Sequence, residues 1–200
     1  MRSHKYGDAG QAFPIYITVV GGLLFLAFAY LAVGQAAANR NGAQTAADAA
    51  ALAAAQDRRD QLTGAWVEDL LDPAEWQAIF DGNAEGLDDS CWRARQLAAR
   101  NDAAVQGCAQ KGLLGYTVEV ETTDTVGDSI VPGTESMRSR ETATAVIDPR
   151  CTFDPLAEDA PEDALPLLTC KGGEEWELDP EDPVELLPQP EDLFDVHLAD

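Results

Sequence analysis

Between Gln11 and Asn39 the chain carries no Asp, Glu, Lys or Arg. The core of that stretch, Ala12 to Gly34, reads AFPIYITVVGGLLFLAFAYLAVG, 23 residues in all. At ~1.5 Å per residue a helix of this length reaches roughly 34 Å, enough for a ~30 Å hydrocarbon layer with some tilt. Inside lipid every backbone amide has to be satisfied within the segment, so the expected conformation is helical. Pro14 stands in what would be the first helical turn, where its missing N–H costs little. A transmembrane helix over 12–34 is therefore the first expectation. The rival is a cleavable secretory signal. Ala36-Ala37-Ala38 offers a small-residue cleavage site, and Arg2, His4 and Lys5 form a weak basic start. Against it, the apolar run exceeds the ~7–15 residues usual for a signal. Both readings export the rest of the chain. With Arg2 and Lys5 ahead of the helix, the positive-inside rule puts residues 1–11 in the cytoplasm and the C-terminal domain outside.

Charge narrows the partners. The chain has 36 acids against 13 Lys and Arg, a formal net charge of −23. Phosphate backbones are repelled by that balance, so nucleic acid is not an expected partner.

Past Gly34 the helix is expected to continue. From Gln35 to Asp60, 12 of 26 residues are alanine, the strongest helix former. Small residues recur every fourth position, at Gly34, Ala38, Gly42, Ala46, Ala50 and Ala54. That spacing lets two helix backbones approach closely, which makes this face the candidate packing surface. A helix from Ile15 to Arg59 would stand half in the membrane and half out, as a stalk or packing spine.

The order is a short charged start, the pair Gly10-Gln11, an apolar helix, then Arg40 followed by AQTAADAAALAAA from Ala43 to Ala55. Over residues 7 to 60 this resembles the N-terminal segment of the TadE/TadG-like proteins of Flp (Tad) pilus assembly. The resemblance implies a pseudopilin-like protein with one N-terminal hydrophobic helix and an extracytoplasmic domain. Its implied partners are the membrane and other pilus or secretion apparatus proteins. Processed pseudopilins of this system carry Glu five residues after the processing Gly. Here Ile15 follows Gly10 at that place, so the resemblance is to an unprocessed, TadG-like member.

The remainder reads as an α+β domain over 61–153. Leu62 to Phe80 reads as two short helices, with Trp66, Val67, Leu70 and Leu71 on one apolar face. Asp72-Pro73-Ala74-Glu75 has the form of a capping box restarting a helix. Ser90 or Asp89 can cap a helix from Cys91 to Arg100, stopped at Asn101. Alternation marks strands at Tyr116–Val120, Ala143–Ile147 and Leu193–Leu198, with Ala103–Cys108 as a preceding hairpin strand. An antiparallel sheet of about three or four strands with helices on one face is expected. Residues 154–200 hold 16 acids and one Lys, and eight of the 11 prolines lie between Pro149 and Pro190. That composition reads as an extended segment pinned at points such as Trp176 and closed by a strand.

Four cysteines, Cys91, Cys108, Cys151 and Cys170, form no C-x-x-C pair. An even count in an exported domain points to two disulfides, and three pairings are possible. A continuous helix from Cys91 to Cys108 would hold them ~25 Å apart. A helix ending at Asn101 and a strand folding back lets them meet, so Cys91–Cys108 and Cys151–Cys170 are the expected bridges. Phosphate loops, nucleophile elbows and H-E-x-x-H are absent from the sequence. The paired acids Asp88-Asp89, Glu158-Asp159, Glu162-Asp163 and Glu174-Glu175 sit in polar surroundings and read as solvated surface. No catalytic residue, metal site, cofactor or small-molecule substrate is expected. The reading is a non-enzymatic, single-pass membrane protein acting through protein contacts. Its alternative is a secreted acidic binding or surface module released after Ala38.

Overall fold

The computed structural model describes residues 12–125, 136–156, 161, 164–179 and 186–199. The charged N-terminus, the middle of the polar loop with Gly127, Pro132 and Gly133, and the acid pairs Glu158-Asp159 and Glu162-Asp163 lie outside the described residues. The architecture is α+β: a long apolar helix, then small helices and antiparallel sheets.

Helix α1 spans Ala12–Glu68, 57 residues, or about 85 Å at ~1.5 Å per residue. Pro14 is its third residue, within the first turn, whose N–H groups have no helical partners anyway. The two halves of α1 live in different surroundings. From Pro14 to Gly42 no residue is buried, and thirteen large apolar side chains between Ile15 and Val33 are exposed. From Ala43 onward an alanine face is sealed inside the domain: Ala43, Ala46, Ala47, Ala50, Ala51, Ala54 and Ala55 are all fully buried. Leu62 and Trp66 prolong that face by further steps of about one turn and are fully buried too. Their burial carries α1 through Gly64 to Glu68, where the residue pattern alone predicts a separate short helix. Leu71, expected on the apolar face with Trp66, is 71% exposed, because α1 has ended and the chain turns through Asp69–Asp72.

Helix α2 covers Pro73–Phe80 and buries Trp76, Ile79 and Phe80. The capping box expected before it does not form. Asp72 makes no side-chain cap bond, and the Glu75 amide instead donates to the Asp72 carbonyl at 3.1 Å. Helix α3 covers Cys91–Arg100 and stops at Asn101. At its start the Asp89 carboxylate accepts from the Cys91 amide at 3.1 Å, while the buried Ser90 hydroxyl accepts from Gln61 of α1 at 3.2 Å.

Strands β1 (Ala103–Gln110), β2 (Gly115–Thr122), β3 (Arg140–Pro149) and β7 (Phe194–Leu198) form one antiparallel sheet in the order β1-β2-β3-β7. Its inner face presents Tyr116, Val118, Val120, Ala143, Ala145 and Ile147, all buried. Thr117, Glu119 and Thr144 alternate with them on the other face. Alanines on both sides let α1 lie close across β2 and β3, as small residues do wherever backbones approach. Helix α3 packs on α1 and β1, and the bridge Cys91–Cys108 joins its first residue to β1.

A second antiparallel sheet consists of β4 (Cys151–Phe153), β5 (Leu168–Cys170) and β6 (Glu175–Trp176). Cys151 and Cys170 face each other in register and are bridged, with Cα atoms 3.9 Å apart. The turn after Cys170 needs positive φ at Gly172 (107°) and Gly173 (86°), which glycine alone adopts freely. The acid-rich tail is thus more built than its composition implied: Leu168, Leu187, Leu193 and Phe194 are buried. Helix α4 (Pro190–Leu193) leads into β7, with the Asp192 carboxylate accepting from the Gln189 amide at 2.8 Å.

The Cys151–Cys170 bridge closes a loop of about 20 residues, for which loop entropy predicts ~3 kcal/mol. Replacing both cysteines by serine is expected to lower unfolding stability by about that amount. Denaturant titration of the oxidised parent and the variant checks it, and a loss under about 1 kcal/mol would count against this account.

Candidate assembly surface

The exposed half of α1 is the feature that demands an explanation. Thirteen large apolar side chains stand out on all sides of one helix, from Ile15 (63% exposed) to Val33 (70%). In water each would forfeit about 1.5–3 kcal/mol relative to burial. A helix apolar all round is made for an apolar environment. It is long and apolar enough to cross a membrane, and the apolar window is wholly unburied by the protein's own fold. Its internal chemistry agrees: the Thr18 hydroxyl donates to the Pro14 carbonyl at 2.8 Å, leaving no stray donor there.

The stripe of small residues divides in two. Ala46, Ala50 and Ala54 are buried inside the head, at 0% exposure. Gly34, Ala38 and Gly42 remain exposed, and a Cβ added at Gly34 or Gly42 would meet nothing within 4 Å. The upper half of the stripe is core and the lower half is free surface.

A polar collar marks where α1 enters the head. The Asn39 amide oxygen accepts from the Ser139 hydroxyl and, at 3.4 Å, from the Thr122 hydroxyl. Its amide nitrogen donates to the Asp124 carbonyl at 3.4 Å. One residue on, Arg40 pairs with Glu141 at 2.8 Å, and on the outer face Glu121 pairs with Arg140 at 2.6 Å. Sequence reasoning reads Asn39 and Arg40 as the end of the apolar run, and Arg40 as part of the family resemblance, but gives neither a partner in the head. Their partners lie some 80 to 100 positions away, so no local pattern could have shown the collar.

No group of three or more His, Cys, Asp or Glu able to hold a metal occurs among the described residues. One surface depression, of about 580 Å³, lies between the end of α1 and α2 and is lined by Glu68, Asp69, Glu75 and Glu85 among others. The one buried cation with a perturbed titration among the described residues is Arg58, whose pKa burial lowers, against a smaller upward pull from Tyr116. It donates to the Gly82 carbonyl at 3.1 Å and ties the turn after α2 to α1. Both cysteine pairs sit inside the head, away from the exposed rod, and no cysteine is free.

A rod apolar on every side, running unbroken into a disulfide-closed α+β head, defines the class: a head built on the continuation of its own apolar helix. Residues 10–57, about a quarter of the chain, match the family model described as putative Flp pilus-assembly TadE/G-like. The matched stretch contains the apolar run, Arg40 and the alanine tract on which the resemblance rests. No curated protein and no solved structure matches the chain.

Proposed function

We propose that the chain is a single-pass membrane protein and a non-enzymatic component of a Flp/Tad-type pilus assembly or secretion apparatus. The apolar half of α1 anchors it, residues 1–11 stay in the cytoplasm, and the disulfide-bonded head stands outside. It acts through protein–protein contacts. One observation carries the reading: the exposed apolar rod is continuous with the head's own central helix, so rod and head are mechanically one piece. The family match over residues 10–57 supports the pilus context.

Gly34, Ala38 and Gly42 are proposed as the surface on which a partner helix packs. Because they are exposed and lie clear of the head's core, enlarging them tests partners without disturbing the fold. Gly42→Leu together with Ala38→Leu is expected to weaken crosslinking to apparatus proteins in the membrane fraction. The melting of the head should stay unchanged. Equal crosslinking in the parent and the variant would remove this face from the account.

The secreted alternative has one structural observation in its favour. The collar begins at Asn39, so cleavage after Ala38 would leave the collar's contacts with the head intact. N-terminal sequencing of the mature protein separates the two: Met1 retained supports the anchor, and a start at Asn39 establishes the released module.

A further inference from the structure

We propose that the rim of the head around Asn39 docks on a bilayer surface, with Arg40, Arg138 and Arg140 binding lipid phosphates. The inference rests on the single-pass reading above and adds the orientation of the head to it. The apolar run ends at Gly34 and the collar starts at Asn39, five residues later. At ~1.5 Å per residue that is about 8 Å along the helix, which leaves the rim at headgroup level. A head on a long stalk would have no such proximity; here α1 is already bonded to the β2–β3 end of the sheet at its first polar residue past the small-residue step.

The charges at that end are arranged asymmetrically. Arg40 is 75% exposed while its partner Glu141 is 20%. Arg140 is 61% exposed and Arg138 49%, against 17% for the Glu121 they share. In each pair the carboxylate sits behind and the guanidinium in front. The acids hold the cations outward, with N–H groups left over, and guanidinium geometry matches phosphate oxygens. Met137, beside these arginines, is 55% exposed and adds an apolar contact. Asp102 and Asp124 lie near the same end and subtract from the attraction, so the three guanidiniums carry it individually rather than through a net field. The opposite end is acidic. Glu174, Glu175 and Glu177 flank the second sheet, which packs on Trp76 and Phe80 beyond the far part of α1. Among the charges at the rim, the three guanidiniums are therefore the ones that stand furthest out toward the bilayer.

The test uses the full chain in vesicles of equal parts phosphatidylcholine and phosphatidylglycerol. Met137→Trp adds a reporter at the rim, and its emission is read, after subtracting the parent's, with lipids spin-labelled on the headgroup. The added emission is expected to be quenched. Each arginine near such a surface contributes about a fivefold bias toward the docked state. Arg40→Gln, Arg138→Gln and Arg140→Gln combined should therefore lower the quenching, although α1 still holds the rim near the headgroups. The corresponding three lysine variants, which keep the charge, should retain it and serve as the folded control. Resistance to carbonate extraction is measured on every sample. A reporter that is not quenched in a carbonate-resistant chain overturns the docking and leaves the anchor standing. Quenching that the glutamine substitutions leave unchanged overturns the role of the arginines. A chain extracted by carbonate overturns the membrane reading itself, and the docking with it.

Discussion

Replacing Trp76 by alanine is expected to cost the head about 3–5 kcal/mol, the range for truncating a buried aromatic. Natural domains hold only about 5–15 kcal/mol in total, so this one change removes a large share. The reason lies in what Trp76 joins. Its ring is fully buried, 5.4 Å from Trp66 of α1 and 5.3 Å from Phe153 of β4. The chain of rings continues from Phe153 to Phe80 at 6.0 Å and from Phe80 to Phe194 at 5.3 Å. The Trp76 indole also donates to the Asp69 carbonyl at 3.1 Å, fixing the turn between α1 and α2. One side chain therefore ties the end of the long helix, α2 and the second sheet together. Trp76→Phe keeps a ring but loses the donor, and it should cost distinctly less than the alanine. Denaturant unfolding of the oxidised chain in detergent, followed by far-ultraviolet dichroism, measures both. A loss below about 1 kcal/mol for Trp76→Ala would show that this ring chain does not hold the head.

Much of this fold is written in local pattern. Tyr116, Val118 and Val120 alternate with Thr117 and Glu119 because one face of β2 meets α1 and the other does not, and that alternation marks the strand. The stop at Asn101 is legible from residue type, and it is what lets Cys108 return to Cys91. The second sheet is not legible. Its strands are two or three residues long, too short for any period, and they are assembled by a disulfide and by burial of Leu168. The continuation of α1 past Asp60 is hidden for a different reason. The alanine tract closes near Arg59 and the pattern from Leu62 reads as a separate short helix, yet Leu62 and Trp66 keep the phase of the alanine face and are buried with it.

The candidate surface shows the same limit more sharply. Gly34, Ala38, Gly42, Ala46, Ala50 and Ala54 form a uniform series in sequence. Nothing local tells the three that are buried in the head from the three that face outward. That division is set by where a sheet that begins only at Ala103 happens to lie. Residue spacing reveals the capacity for close packing, and only the tertiary structure shows how much of it is already used. The boundary falls between Gly42 and Ala43, just past the collar. The helix therefore changes partner within one turn, from whatever surrounds the rod to the head's own strands.

Placing two arginines in the middle of the rod, at Leu23 and Leu26, is expected to have the largest effect of all. An arginine near the centre of a membrane helix costs about 2.5–3.5 kcal/mol on insertion scales, and each leucine removed forfeits a further few tenths. The pair therefore opposes insertion by roughly 6–8 kcal/mol. Nothing in the head shelters the new charges: Leu23 is 62% exposed and Leu26 63%. In a soluble protein such substitutions on an exposed surface would be harmless or would improve solubility, so the sign of the result separates the two environments. The cysteines supply a second readout. If the rod carries the head out of the cytoplasm, a chain that fails to insert keeps its head in a reducing compartment. Cys91–Cys108 and Cys151–Cys170 would then stay open, which alkylation and mass spectrometry detect directly. The expected result is loss of carbonate-resistant protein together with appearance of free thiols. A double-arginine chain that remains membrane-bound with both bridges closed would mean that neither anchoring nor export depends on this helix, and the assignment of the rod to the bilayer would fall.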